Sequence, residues 1–321
     1  MVTASPESSP PAAPRFHFSV CICTRNRPLD LARALRSVEA STYPVHQIVV
    51  SDDSTDTLTR EMIAAEFPQV VFLEGPRRGL GANRNCALDA VTGTHVTFID
   101  DDATLSNDFL TRMANSLQQG GQHPEKLIVT GYELNRGERV YANATTFLGF
   151  QARPYRTGDT HDTVVINSAV FPTWIFKLIR FDEHLVYGYD EVDIVMRATL
   201  QAKCVVRLLP EAFNSHFPST VNRDYYAAFI EASRIYVTHK RYRWFEHNRP
   251  KAALFLTLAV AHNLLHNLRA HGPKGVARSV RTVSRASAYI RRYTPEGLAL
   301  QNEDHRTRTH LSSNFGSRTL P

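Results

Sequence analysis

Cysteine is scarce in this sequence, with four residues among 321. Cys21 and Cys23 lie two positions apart, whereas Cys86 and Cys204 are isolated, so neither a zinc-binding pattern nor a CxxC redox motif is present. Four cysteines are also too few for a disulfide scaffold in a chain of this size. We therefore expect a protein that depends on an ordinary hydrophobic core and works in a reducing, cytosolic setting.

Long apolar runs are absent as well. No stretch of 18 residues lacks polar breaks, and the nearest candidate, 252–261, is followed at once by His262 and Asn263, which excludes a membrane-spanning helix. The N-terminal segment 1–15 has no apolar core and no basic start, so a secretory signal is not expected. Its Pro, Ser and Ala content predicts a disordered tail, and the polar segment 294–321 predicts a flexible one.

Between the tails, strand-like apolar runs alternate with segments of helical periodicity. The predicted strands are 18–23, 46–50, 70–73 and 95–99, followed by less regular runs at 127–129 and 164–170 and by a helix within 181–200. The first helical segment carries Leu31, Leu35 and Val38 at helical spacing. This alternation predicts an α/β fold with a mainly parallel central sheet flanked by helices, in one domain over 16–224.

The segment 225–293 is predicted to be mostly helical and is strongly basic. Eleven Lys and Arg residues lie between positions 241 and 292, and Glu246 is the only acidic residue there. On a helical wheel Val276, Val280, Val283 and Ile290 gather on one side, and Arg278, Arg281, Arg285 and Arg292 gather on the other. This pattern is typical of a helix at an anionic membrane surface, and equally of a helix whose apolar stripe packs on the protein while its arginines are solvated. No nucleic-acid recognition module accompanies the charge, so nucleic acid is not an expected partner.

Three acidic residues, Asp100, Asp101 and Asp102, directly follow the predicted strand 95–99. Carboxylates so close together favour a bound cation, and Mg²⁺ or Mn²⁺ with oxygen ligands commonly binds together with substrate phosphates. A sugar nucleotide or another nucleotide fits this chemistry. The alternative is a solvated acidic loop that caps a helix beginning near Asn107.

Two other polar turns, beginning at Thr24 and Asp52, are expected at the same edge of the sheet, because the carboxyl ends of parallel strands meet there. Asp52 and Asp53 end the second strand, where their oxygens can accept hydrogen bonds from a base or a ribose; the alternative is a turn and helix cap formed with residues 54–56. Arg84 follows two glycines at a predicted helix start, where it can meet a diphosphate. The alternative for Arg84 is an ordinary surface arginine.

Four motifs occur in order along this array: SVCICTRNRP, IVVSDDSTD, GLGANRNCALDAVTGTHVTFIDDDATL and YGYDEVDIVMRA. Together they resemble those of the family 2 glycosyltransferases with the GT-A fold, enzymes that are usually metal-dependent and inverting. The resemblance runs from about Ser19 to Arg197 and continues more loosely through His216. It implies a GT-A type nucleotide-diphospho-sugar transferase fold, followed here by a helical C-terminal extension.

The resemblance implies a role for each matching position. The residues implied to bind the sugar-nucleotide donor are Thr24, Arg25, Asp52, Asp53, Arg84, Asp100 and Asp101. Among them, Thr24 and Asp52 would contact the nucleobase and Arg84 the diphosphate. Asp100 and Asp102 would form the DxD element, with Asp102 as the direct ligand of Mg²⁺ or Mn²⁺. His216 would reach the metal or the diphosphate; the alternative is a loop histidine that is satisfied locally.

The sequence departs from the family pattern at two places. Asp53 stands where the family commonly has glycine. The acidic pair before the helix that carries Arg197 is reversed, so Asp190 comes first and Glu191 takes the position usually held by the catalytic aspartate. Glu191 can abstract a proton as well, with Asp190 or Asp193 as substitutes if the helix start shifts. The alternative is that these acidic residues only stabilise the N-terminus of the helix.

The resemblance implies an inverting glycosyltransferase that uses a UDP-, GDP- or dTDP-sugar and a glycan or lipid-linked acceptor. We expect it in the cytoplasm, peripherally on the cytosolic face of a membrane. A metal-dependent nucleotidyltransferase is the competing enzyme class, since it shares a nucleotide-binding sheet and metal-holding aspartates. A non-catalytic sugar-nucleotide-binding protein is the third possibility, because the second and fourth motifs are altered.

Overall fold

The computed structural model of the protein describes residues 15–120, 123–156, 159–218 and 223–293. The tails expected over 1–15 and 294–321 lie outside these ranges, apart from Arg15. The strands are β1 (Phe18–Thr24), β2 (Val45–Asp52), β3 (Val71–Glu74), β4 (His95–Asp100), β5 (Ala103–Leu105), β6 (Leu127–Asn135), β7 (Glu138–Val140), β8 (Asn143–Thr145), β9 (Gln151–Pro154), β10 (Ala169–Pro172) and β11 (Val205–His216). The helices are α1 (Pro28–Glu39), α2 (Leu58–Glu66), α3 (Leu80–Asp89), α4 (Phe109–Gln118), α5 (Asp190–Leu200), α6 (Arg223–Lys240), α7 (Arg249–His271) and α8 (Lys274–Arg292).

Nine of these strands form one sheet in the described part of the chain. Their order is β3-β2-β1-β4-β10-β6-β11-β5, with β7 paired to β6. The pairs within β3-β2-β1-β4 are all parallel, as the alternation of strands and helices predicts. The other half is mixed, because β10 runs antiparallel to both β4 and β6 whereas β11 is parallel to β6. The α/β fold and its flanking helices are therefore confirmed, and its parallel part is the half that precedes β10.

Helices cover both faces of the sheet, which gives the domain two hydrophobic clusters. In β1, Val20 and Ile22 face the cluster beneath α1, α2 and α4, and Cys21 faces the cluster beneath α3 and α5. The helix α1 begins with a proline in its first turn, which suits the fixed φ of that residue. Its predicted apolar positions Leu31 and Leu35 are fully buried.

One predicted strand is shorter than the sequence indicates. The run 164–170 is apolar, but Ile166–Ser168 forms a 3₁₀ turn and the strand β10 covers only Ala169–Pro172. The side chain of Asn167 explains the turn, because its oxygen accepts a hydrogen bond from the backbone N–H of Asp100 at 2.8 Å.

The C-terminal helices α6, α7 and α8 pack around a third hydrophobic cluster that also includes Tyr189, just before α5, and Val192 of α5. No helix in the described residues combines the length and hydrophobicity required to cross a bilayer. Gly275 lets α8 approach α7 closely, since a Cβ atom there would lie 2.1 Å from the carbonyl oxygen of Asn267. Close helix contact of this kind needs the smallest side chain.

The buried face of α8 differs from the one that the helical wheel indicates. Its buried residues are Gly275, Ser279, Thr282, Ala286 and Tyr289. Val276 and Val280 are exposed, by 42% and 59%, while Ile290 contacts the third cluster. The idea that the valine stripe packs on the protein is therefore wrong for these two residues, because small side chains on another face allow a closer helix contact.

A buried cluster of charges joins α5 to α6. Lys240, at the end of α6, is fully buried and forms ion pairs with Asp182, at 2.6 Å, and with Asp193 of α5. Arg197 donates to the other carboxylate oxygen of Asp193 at 2.8 Å, and the Tyr236 hydroxyl donates to Asp182 at 2.6 Å. Since an unpaired buried charge is costly, this cluster ties the C-terminal helices to the helix that carries Glu191.

Candidate functional site

The loops at one edge of the sheet are brought together by strand register. Thr24, the last residue of β1, lies opposite Asp52 of β2, and Cys23 lies opposite Asp100 of β4. The backbone N–H of Asp53 also donates to the carbonyl oxygen of Thr24 at 2.9 Å. The ends of β1, β2 and β4 therefore form one surface, where open α/β sheets bind their ligands.

Within the acidic turn, Asp101 is directed towards β1. It accepts hydrogen bonds from the Thr24 hydroxyl at 2.8 Å and from Arg27 at 3.2 Å. Burial raises the pKa of Asp101 to about 6, against the opposing effects of the Thr24 hydrogen bond and the Arg27 charge. None of the three carboxylates caps α4, which begins at Phe109 after Asp108, so the helix-capping alternative is wrong.

The other two carboxylates of the turn meet a histidine from β11. One ligand atom from each of Asp100, Asp102 and His216 lies within 4.8 Å of the other two, and no other such group of His, Cys, Asp or Glu occurs among the described residues. The Nε2 atom of His216 is 3.2 Å from Asp102, and its Nδ1 atom is 2.6 Å from Glu133. Burial disfavours protonation of His216, but the hydrogen bonds to Asp102 and Glu133 outweigh it and raise its pKa to about 10.

These three side chains fit a divalent cation. Burial alone would raise the pKa of Asp102, but the hydrogen bond with His216 and the positive charges of His216 and Arg27 together lower it. Two carboxylates with one imidazole are suitable donors for Mn²⁺, and their ligand atoms lie close enough together to share one ion. The contact with Glu133 would orient the imidazole, as outer carboxylates do at metal sites.

Arg84 occupies the centre of the site. It is only 3% exposed, so the surface-arginine alternative is wrong. One of its nitrogens lies 3.1 Å from Asp100, and another forms an ion pair with Asp190 at the start of α5. The guanidinium also lies over the ring of Phe181, 5.4 Å from its centroid. Arg84 thus connects the end of β4 with the beginning of α5.

The acidic side chains at the start of α5 differ in their burial and in their partners. Glu191 is partly buried and accepts a hydrogen bond from Gln151 at 3.1 Å. Burial raises its pKa, although the Gln151 hydrogen bond and the Arg84 charge partly oppose the rise. Asp193 is fully buried between Arg197 and Lys240, so it is not available as a substitute base.

The loop after β2 is held by its own polar groups. The Asp52 carboxylate accepts a hydrogen bond from the backbone N–H of Ser54 at 2.8 Å, and Asp53 accepts one from the N–H of Arg77 at 2.7 Å. These contacts agree with the turn alternative for this loop and leave its predicted base-binding role untested. Burial raises the pKa of Asp53, and the positive charge of the exposed Arg25 partly opposes that rise.

Several residues of the site were not singled out by the sequence. Arg27 lies within the first motif and contacts both Asp101 and Asp102, at 3.2 and 3.1 Å. Glu133, Asn167 and Gln151 carry no motif signal, because they come from separate strands and turns that meet the site only in the folded chain. The Asn167 amide nitrogen donates to Glu133 at 3.0 Å and to Asp100 at 3.3 Å. These hydrogen bonds fix the carboxylate of Asp100, a metal-ligand candidate, and that of Glu133, the partner of His216.

Comparison with known proteins shows to which family the chain belongs. The model of glycosyl transferase family 2 matches residues 19–181, just over half of the chain. The chain belongs to this family. The family inferred from the four motifs is therefore confirmed.

Two curated relatives match about a third of the chain. The succinoglycan biosynthesis protein ExoM of Rhizobium meliloti is 31% identical over 113 residues, which are 33% of this chain and 36% of ExoM. The GalNAc(5)-diNAcBac-PP-undecaprenol beta-1,3-glucosyltransferase of Campylobacter jejuni is 27% identical over 111 residues, again 33% of this chain and 36% of that protein. The chain thus aligns with about a third of the length of these relatives.

A solved structure supports the fold over nearly the whole chain. It is the mannosyltransferase PcManGT from Pyrobaculum calidifontis in complex with GDP-Man and Mn²⁺. The TM-score is 0.54 at 17% identity, and the match covers 96% of this chain and 88% of that one. The GT-A type fold with a helical C-terminal part is confirmed by this likeness.

Proposed function

We propose that the protein transfers a sugar from a nucleotide-diphosphate donor to a hydroxyl group of a glycan or lipid-linked acceptor, with inversion at the anomeric carbon. The observation that carries this proposal is the bridge made by Arg84 between Asp100 and Asp190. That bridge brings the metal-ligand candidates at the end of β4 next to the candidate base at the start of α5. Donor and acceptor would react in the space between them.

Glu191 is the proposed general base. Asp190 is engaged by Arg84 and Asp193 by Arg197, whereas Glu191 is held by a hydrogen bond from Gln151. A raised pKa makes a glutamate a better proton acceptor than an exposed one while it is ionised. A single base without a second, nucleophilic carboxylate is consistent with direct displacement and inversion, by analogy with the carboxylate pairs of glycosidases.

Asp102, Asp100 and His216 would hold Mg²⁺ or Mn²⁺ in this proposal. When bound, such an ion stabilises the negative charge of a departing nucleoside diphosphate. Arg84 supplies a fixed positive charge on the same side, and Thr24 and Asp52 border the surface proposed for the base of a UDP-, GDP- or dTDP-sugar. The Pyrobaculum mannosyltransferase binds GDP-Man and Mn²⁺ in its solved complex, which agrees with this pairing of nucleotide sugar and metal.

The direct test is a panel of UDP-, GDP- and dTDP-sugars, with and without Mn²⁺, in which the released products are identified. Release of a nucleoside diphosphate together with sugar transfer or hydrolysis is expected for one donor. Release of pyrophosphate would assign the protein to the nucleotidyltransferases. Saturable donor binding without turnover would make it a non-catalytic sugar-nucleotide-binding protein.

The acceptor side of the proposal includes a membrane. The helix α7 turns a row of apolar side chains away from the core: Leu254, Leu258, Leu264, Leu265 and Leu268 are 36–55% exposed. Exposed apolar residues beside arginines favour peripheral docking on an anionic bilayer, where each basic group adds about 1 kcal/mol. Sedimentation with vesicles should show stronger binding to phosphatidylglycerol-containing than to neutral vesicles, and equal binding would contradict electrostatic docking.

A further inference from the structure

An open groove with basic walls lies among the C-terminal helices. Its cavity of about 590 Å³ is bounded by α6, α7, α8 and the side chain of Phe150. The titratable side chains of this basic groove are Glu231, His262, His266, His271, Arg278, Arg281 and Arg285. Asn263, Asn267 and Thr282 add uncharged donors to the same walls.

The arginines of the basic groove have no acidic partner among the described residues. In the part of the chain that the structure describes, Arg278, Arg281 and Arg285 have no carboxylate within ion-pair distance. Arg278 contacts His271, with 2.5 Å between the two nitrogens, and Arg285 lies over the ring of Phe229 at 4.0 Å.

Glu231, the one acidic residue among the described walls of the groove, already has its own partners. Glu231 pairs with Arg234 at 2.5 Å and accepts a hydrogen bond from Asn263 at 3.3 Å. Within the described residues the groove therefore presents guanidinium groups without a carboxylate partner together with neutral donors, a combination that suits phosphate.

The basic groove is directly linked to the candidate base. Phe150, which lines the groove, packs its ring edge against His262 with a centroid distance of 5.2 Å and is covered by Arg234 at 4.0 Å. Its neighbour in the chain, Gln151, donates the hydrogen bond to Glu191. The wall of the groove and the residue proposed to deprotonate the acceptor are thus joined through two consecutive residues.

We propose that the basic groove binds the phosphate groups of a lipid-linked acceptor, an inference that rests on the proposed sugar transfer. Such an acceptor has an apolar tail, then a phosphate or diphosphate, then a sugar. The protein has a matching feature for each part: the exposed leucines of α7, the arginines and histidines of the groove, and Glu191, which is connected to the groove through Gln151 and Phe150. The groove would hold the phosphate while the sugar hydroxyl meets the base.

Inorganic pyrophosphate is the probe for this site, measured by calorimetry in EDTA so that metal-dependent binding at the donor site does not contribute. Arg278→Gln combined with Arg281→Gln removes two exposed groove arginines and leaves Arg285 on Phe229. Arg269→Gln combined with Arg291→Gln is the matched control, because it removes the same charge from exposed positions of α7 and α8 outside the groove. Pyrophosphate binding should weaken about tenfold in the groove pair and stay within about twofold in the control pair.

Three outcomes would overturn the inference: no pyrophosphate binding by the unchanged protein, equal weakening in both pairs, or no weakening in either. A parallel arm uses phosphatidylcholine vesicles with and without phosphatidylglycerol. If only the groove pair loses binding to anionic vesicles while its pyrophosphate binding is unchanged, the groove recognises phospholipid headgroups and the acceptor proposal is wrong. Donor hydrolysis with Mn²⁺ should be equal in the unchanged protein and in both pairs of variants. If none of them hydrolyses a donor, the result counts against the proposed function and not against the groove.

Discussion

The acidic turn after β4 and the basic groove among the C-terminal helices hold their charges in opposite ways. Asp101 and Asp102 are buried, and each contacts a positive or polar group of the protein, such as Arg27 or His216. Arg278 and Arg281 are exposed and have no carboxylate partner among the described residues. In the proposed function the turn would hold a small cation and a donor, whereas the groove would keep its charge for an anion that comes from outside.

The largest expected effect lies at the candidate base on the acidic side of this comparison. Glu191→Gln should lower kcat by roughly 100- to 10,000-fold, because the amide cannot accept the acceptor proton. The KM for the donor should change little, since Glu191 is not assigned to donor binding. Glu61→Gln, at an exposed position of α2, serves as the control and should retain full activity. Steady-state kinetics with the best donor of the panel measures both constants, and a pure KM effect would remove Glu191 from its role.

The second test asks whether buried charges tie α5, which carries the candidate base, to the C-terminal helices that form the groove. Lys240→Met leaves Asp182 and Asp193 buried without their shared cation, so the free energy of unfolding should fall by about 3–5 kcal/mol. Lys251→Met removes a partly exposed partner of Glu246 and should cost at most about 1 kcal/mol. Urea unfolding of both variants gives the values. Equal losses would mean that the buried cluster does not hold α5 and α6 together.

A third test concerns the contact between Glu133 and the candidate metal ligand His216. Glu133→Gln keeps a hydrogen-bond partner for His216 but removes the charge behind its ring, so the affinity for Mn²⁺ in the presence of donor should fall about 10- to 100-fold. Glu138→Gln, on the exposed strand β7, is the matched control. Titration of activity with Mn²⁺ reports the affinity, and unchanged metal dependence in Glu133→Gln would show that His216 is not a ligand.

The smallest expected effect concerns pH. Because burial raises the pKa of Glu191, kcat should fall on acidification at a higher pH than for an ordinary glutamate, as the base becomes protonated. The hydrogen bond from Gln151 lowers this pKa, so Gln151→Leu should move the acidic limb of the pH profile further upwards. Profiles of kcat for the two proteins provide the comparison. A shift to lower pH would contradict the assignment of that limb to Glu191.

The two regions also differ in how far the sequence predicts them. The acidic turn and the loops after β1 and β2 are contiguous motifs that follow predicted strands, and the register of parallel strands brings such ends together. The parallel half of the sheet and the candidates Asp100 and Asp102 were accessible for that reason, whereas His216 was implied only by the family resemblance. The partners behind them, Glu133 and Asn167, were not, because their contribution depends on how β6 and a 3₁₀ turn pack in three dimensions.

The basic groove was not predictable in its present form. The helical wheel of α8 indicates that the valines oppose the arginines, but it does not indicate which face is buried. Gly275 and Ser279 decide this, since small side chains let α7 and α8 approach closely. The buried Lys240 shows the same limit, because its two carboxylate partners lie 47 and 58 positions away in the sequence. Long-range packing therefore determines the C-terminal region more than local pattern does.

Diffraction from crystals that contain Mn²⁺ and a slowly hydrolysed analogue of the best donor tests the central claim most directly. The account predicts an anomalous manganese peak within ligand distance of Asp102 and His216, with the anomeric carbon of the sugar facing the Glu191 carboxylate. A peak at another place, or a sugar bound on the side of Arg84 away from Glu191, would contradict it.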